Sequence, residues 1–255
     1  MGINYQFDMV AFIILIILTV YTLDKYSIID LKDRIYVYGI RSGVCIAALN
    51  LVVMMIFYYK NADLYRFAII GNLIFLIAYG FFAYLVLCYT IAVIYKYNTF
   101  LNIIFLIAII PQVFVIIGCV TKIFGDGIAI VNDSLEVSRG NEYYIVIGII
   151  LLYFIITLLV SLANRHKMVD REQHSVYIVP TVCIIGCSIQ FFLQNAEILS
   201  FVFAIGILID YLALKKRVVT RDNLTGLPNM DSFWNMVDYR IAQKKSMDVV
   251  LISLD

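Results

Sequence analysis

The sequence predicts an all-α membrane protein: a bundle of seven transmembrane helices, N-terminus outside and C-terminus inside, followed by the first helix and strand of an α/β unit. Three observations carry that expectation. Of 255 residues, 63% are hydrophobic and the mean hydropathy is +0.95. A soluble domain is about 45–50% apolar, so the excess is surface for lipid rather than one buried core. Seven apolar runs punctuate the chain. The segments between them carry lysine and arginine unevenly.

The runs are roughly Tyr5 to Leu23, Ile35 to Tyr59, Phe67 to Tyr95, Phe100 to Val120, Tyr143 to Ala163, Val176 to Phe192 and Ile198 to Leu214. About 20 helical residues cross the hydrocarbon. The second and third runs are long enough to tilt or project. The sixth is short and pairs with the seventh through the tight link Gln194-Asn195-Ala196-Glu197. Before the first run there is no basic stretch, and after it no small-x-small cleavage site, so it reads as a retained span and not a secretory signal.

Orientation follows from the loops. With the N-terminus outside, segments 24–34, 96–99, 164–174 and 215–221 lie inside and hold 11 lysines or arginines, against 4 in the outer segments. Cytoplasmic loops concentrate these residues. The aromatics, mostly 19 tyrosines and 17 phenylalanines, gather near the run ends, where amphipathic rings suit the headgroup layer. A formal net charge of +1 argues against a nucleic-acid partner held by bulk electrostatics, and lipid is the expected surrounding.

Within the spans, a few residues invite a role. Pro111 removes a backbone donor and predicts a kink in the fourth run. Asn50, Asn72, Gln112 and Gln190 are polar groups in apolar surroundings; they read as interhelical hydrogen-bond pairs ahead of cavity lining. Arg41 is expected to snorkel to the inner interface. Cys45, Cys88, Cys119, Cys183 and Cys187 form no C-x-x-C pair and read as small packing residues. In the longest outer loop, 121–142, the stretches Ile128 to Val131 and Ser134 to Val137 flank Asn132-Asp133, which predicts a β-hairpin with a two-residue turn capping the bundle.

The composition changes at the C-terminal end. Lys215, Lys216, Arg217 and Arg221 form a basic linker suited to an anionic inner leaflet, with the last helix expected to run on toward Thr220. Then come Asp222-Asn223-Leu224-Thr225-Gly226-Leu227-Pro228-Asn229. Gly226 permits a tight bend, Pro228 stiffens it, and Asn229 or Asp231 caps a helix. That helix is predicted from Met230 to about Lys245, with Phe233, Val237 and Ile241 on one face. Val249 to Leu254 is rich in β-branched residues and predicts a buried strand, closed by Asp255.

This order resembles the start of a GGDEF domain, the module of bacterial diguanylate cyclases, whose opening reads D-x-L-T-G-L-x-N-R. Asp222, Leu224, Thr225, Gly226, Leu227 and Asn229 match it; Met230 stands where the family has Arg. The resemblance covers 222–255 and divides the chain into a sensor region (1–214), a linker helix (215–221) and the beginning of a GGDEF domain. The seven-run layout is similar to the sensor region that precedes bacterial histidine kinases and diguanylate cyclases. The resemblance implies a protein of the bacterial inner membrane whose complete form joins two GTP into cyclic di-GMP. Two domains meet as a homodimer, and each ribose 3′-hydroxyl attacks the α-phosphate held by the other. Asp255 aligns with a ligand for catalytic Mg²⁺, and hard oxygen donors at a strand end suit that ion. Ending at Asp255, the chain is expected to lack the remainder of that site and to be inactive by itself. A catalytically silent receptor or scaffold is the first alternative, and a transporter or channel the second.

Overall fold

A computed structural model describes residues 5–23, 31–59, 65–95, 101–121, 129–131, 137–168, 170–192 and 198–215, together with 230, 233, 234, 237, 240, 246 and 248. The chain divides into two compact units, Met1–Ala213 and Leu214–Asp255.

In the first unit the helices are α1 (Tyr5–Leu23), α2 (Leu31–Tyr59), α3 (Tyr65–Ile94), α4 (Leu101–Ala108), α5 (Ile110–Val120), α6 (Asn141–Ala163), α7 (Asp170–Phe192) and α8 (Leu199–Lys215). Each predicted run is helical, and the fourth is split into α4 and α5. Five segments are long and apolar enough to cross a membrane: Leu31–Ile56, Arg66–Ile94, Leu101–Val120, Tyr143–Ala163 and Gln173–Phe192. Two shorter apolar helices, Gln6–Thr22 and Leu199–Leu212, accompany them. The expectation of a marginal sixth span is corrected here. α7 begins at Asp170, because its polar first turn is helical although a hydropathy reading leaves it out.

Helix α3 is the hub, touching α2, α4, α5, α6 and α7. In lipid, association draws little on apolar burial, so close packing and interhelical hydrogen bonds carry it. The core shows both. Phe82 and Phe203 meet edge-on with ring centroids 4.2 Å apart, and Tyr79 lies edge-on to Phe203 and Phe154. Gly43 lets α2 approach α8 so closely that a methyl group there would collide with the Phe203 ring. Outward, Ile103, Leu106, Ile107 and Phe114 on α4 and α5 and Leu159 on α6 are all more than half exposed. Such a surface is stable against hydrocarbon and not against water.

The break between α4 and α5 falls where Pro111 predicts it. The Tyr153 hydroxyl from α6 accepts the Gln112 N–H at 2.8 Å and donates to the Ala108 carbonyl at 2.8 Å. It stands inside the helix ladder in place of a direct bond between those two groups. Both are thereby satisfied despite the interruption, the condition for irregular backbone at membrane depth. The Gln112 side chain crosses to donate to the Ile77 carbonyl at 2.9 Å. It lies over Gly80, where a Cβ would come within 2.5 Å of its Oε1.

The loop hairpin forms, with a different register. β1 (Ala129–Val131) pairs antiparallel with β2 (Val137–Arg139), Val131 opposite Val137 and Ala129 opposite Arg139. A two-residue turn at Asn132-Asp133 would have placed Ser134 opposite Val131. The second strand instead comes later and runs up to Gly140, whose extended backbone begins α6. Turn chemistry was the weaker constraint; the helix start fixes where the returning strand ends.

In the second unit, Met230, Phe233, Trp234, Val237 and Arg240 are helical. Phe233 is half-buried and Val237 buried, on the face the spacing predicts, while Met230 and Trp234 are exposed. The predicted strand Val249 to Leu254 lies outside the described residues.

Candidate functional site

The chemistry-bearing groups of the first unit collect at its two ends. At one end, α1, α2 and α8 bring Asp8, Asn50 and Ser200 together, all buried. The Asn50 amide donates to Asp8 Oδ1 at 2.8 Å and to Ser200 Oγ at 3.1 Å. Nearby in the fold order, the Gln190 amide near the end of α7 donates to the Tyr143 hydroxyl at 3.1 Å, and its carbonyl accepts the Ile198 N–H ahead of α8 at 3.1 Å. These contacts tie helix ends to one another.

The other end is built differently. Tyr36 near the start of α2, Tyr89 and Thr90 near the end of α3, Ser175 near the start of α7 and Asp210 late in α8 surround a small cavity of about 40 Å³. Its remaining walls are apolar and include Ile40, Phe82, Val179 and Ile207. Asp210 is 1% exposed. The side chains of Ser175 and Tyr36 lie beside its carboxylate. Ser175 also pairs with the Tyr89 hydroxyl at 3.1 Å. The rings of Tyr36 and Tyr89 lie with centroids 5.8 Å apart.

Asp210 Oδ1 and Thr90 Oγ1, both of cavity-lining residues, are buried without a hydrogen-bond partner. A buried acceptor left unpaired costs about 1–3 kcal/mol, and more when it carries charge. No lysine, arginine or histidine is among the cavity-lining residues. The arrangement is a small apolar pocket with a few convergent polar groups.

The residues singled out in the sequence fall mostly elsewhere. Asn50, Gln112 and Gln190 join helices through hydrogen bonds and none lines the cavity; Asn72 is half-buried. Arg41 is exposed on α2. The five cysteines are free thiols, with Cys45 exposed and the others buried. Asp222, Leu224, Thr225, Gly226, Leu227 and Asn229 of the opening motif, and Asp255, lie outside the described residues. Among the described residues no group of three or more His, Cys, Asp or Glu side chains is placed to hold a metal ion. Sequence reading missed Asp210, taking it as the point where the last apolar run gives way to the basic linker. Its signal was the two-turn distance to Lys216, Arg217 and beyond, which leaves the carboxylate inside the run.

No family model matches the chain, and no curated protein and no solved structure matches it.

Proposed function

We propose that this chain is the membrane-embedded sensing module of a diguanylate cyclase, with seven spans, the N-terminus outside and residue 222 delivered to the cytoplasm of a bacterial cell. The observation that carries the reading is the motif Asp222 to Asn229, which follows the last apolar helix with only a short basic linker between. α8 is the element that leads to it, and α8 also supplies Asp210 to the cavity. A ligand that changes the packing around Asp210 therefore acts on the helix nearest the output. In this reading the bundle has two arrangements, and the signal biases one of them. The output domains act as a homodimer on two GTP, with Mg²⁺ neutralising phosphate charge in the complete domain.

The test uses the protein read on past Asp255. With GTP and Mg²⁺ it is expected to form cyclic di-GMP, and Asp255→Ala to abolish the product. A cysteine placed at residue 222 in whole cells is expected to resist a membrane-impermeant thiol reagent; labelling from outside would reverse the topology and end the proposal. A second reading, transporter or channel, is favoured by one observation: two carboxylates, Asp8 and Asp210, are buried within apolar helices. Solute flux into vesicles containing the chain decides for it.

A further inference from the structure

We infer that the cavity between α2, α3, α7 and α8 binds an organic ammonium group carried on an apolar body, with Asp210 as its counter-ion. The inference rests on the sensing module only in treating this cavity as the input site. A buried carboxylate without a cation is the most costly group such a pocket can hold. Here Asp210 keeps one buried oxygen, Oδ1, without a hydrogen-bond partner, and the residue lines the cavity. Thr90 Oγ1, 0% exposed, is a second unpartnered acceptor in the same wall. A protonated amine supplies up to three N–H donors and one positive charge, which satisfies both oxygens and neutralises the carboxylate. The rings of Tyr36 and Tyr89, both in the lining, are of the kind that attracts such a cation. Phe82 and the aliphatic walls suit a hydrocarbon or aromatic body, and the volume limits it to a small one. An anion finds no basic residue in the lining. A neutral apolar molecule would leave both acceptors unpaired.

An ammonium of this kind comes either from a free amine or from the headgroup of an ethanolamine lipid. The experiment measures binding of phenethylammonium and of its neutral near-isostere, phenethyl alcohol, to the whole chain in nanodiscs of phosphatidylglycerol, by calorimetry. The ammonium is expected to bind about tenfold or more tightly than the alcohol. Asp210→Asn is expected to bind the two alike. Should that variant fail to fold, Thr90→Val provides the check, with ammonium affinity reduced about threefold. Adding phosphatidylethanolamine to the discs separates the sources. Weakened probe binding assigns the site to a lipid headgroup, and unchanged binding assigns it to a free amine. Equal affinity of wild type for amine and alcohol, no binding of either, or a preference that survives Asp210→Asn overturns the inference. Binding is read here without any nucleotide chemistry. A bound amine that leaves cyclic di-GMP formation unaltered would therefore defeat the sensing role while the ammonium site stands.

Discussion

Asp8 and Asp210 are both buried carboxylates in short apolar helices, and they differ in what lies beside them. Asp8 receives the Asn50 amide in a packed contact that also takes in Ser200. Asp210 lies beside the hydroxyls of Ser175 and Tyr36 and lines a cavity. A side-chain bond between helices fixes how they meet, whereas polar groups that line a cavity leave room beside them. The first joins helices of the bundle; the second borders a space between them.

That contrast breaks down most visibly if the packed site proves dispensable. Asn50→Ala strips a donor from the Asp8 carboxylate and is expected to cost about 2 kcal/mol, read as a lower unfolding temperature in detergent. Tyr153→Phe removes the hydroxyl that bridges Gln112 and Ala108 across the α4–α5 break. A loss of about 1–2 kcal/mol is expected, with faster hydrogen exchange at the Gln112 amide as the local reporter. Gly43→Ala forces the Phe203 ring out of its place against Phe82; about 1–2 kcal/mol is the expected penalty, measured the same way. The smallest effect carries the opposite sign. Asp210→Asn removes a charge without a cation beside it and is expected to leave stability unchanged or raise it by about 1 kcal/mol. Were Asp210→Asn to destabilise the bundle as much as Asn50→Ala does, the two carboxylates would share one structural role.

Much of the bundle was legible before any coordinates. α1 coincides with the run Tyr5 to Leu23, and α6 departs from its run only at the N-terminal end. Lipid-facing helices announce themselves because nearly every side chain in them must be apolar. Pro111 likewise marked the α4–α5 break, since a missing N–H is a local property. The partner that repairs the break, Tyr153, was not legible: it lies 42 positions away, and nothing local distinguishes it from the other tyrosines. The hairpin was legible as a pair of strands and not in register, because Asn132-Asp133 permits a turn without requiring one.

The candidate site was less legible than the fold. Asn50, Gln112 and Gln190 stand out as polar residues in apolar runs, yet they serve helix contacts. Asp210, five residues before Lys215, looks like the beginning of a polar boundary. Composition and periodicity thus determined that helices exist, roughly where they lie, and that several are apolar enough to cross a membrane, because each of those follows from a residue and its near neighbours. Which carboxylate takes an amide from another helix and which lines a cavity was decided only when α1, α2, α3, α7 and α8 came together. That difference depends on distances between residues far apart in the chain, and hydrophobic patterning does not encode them.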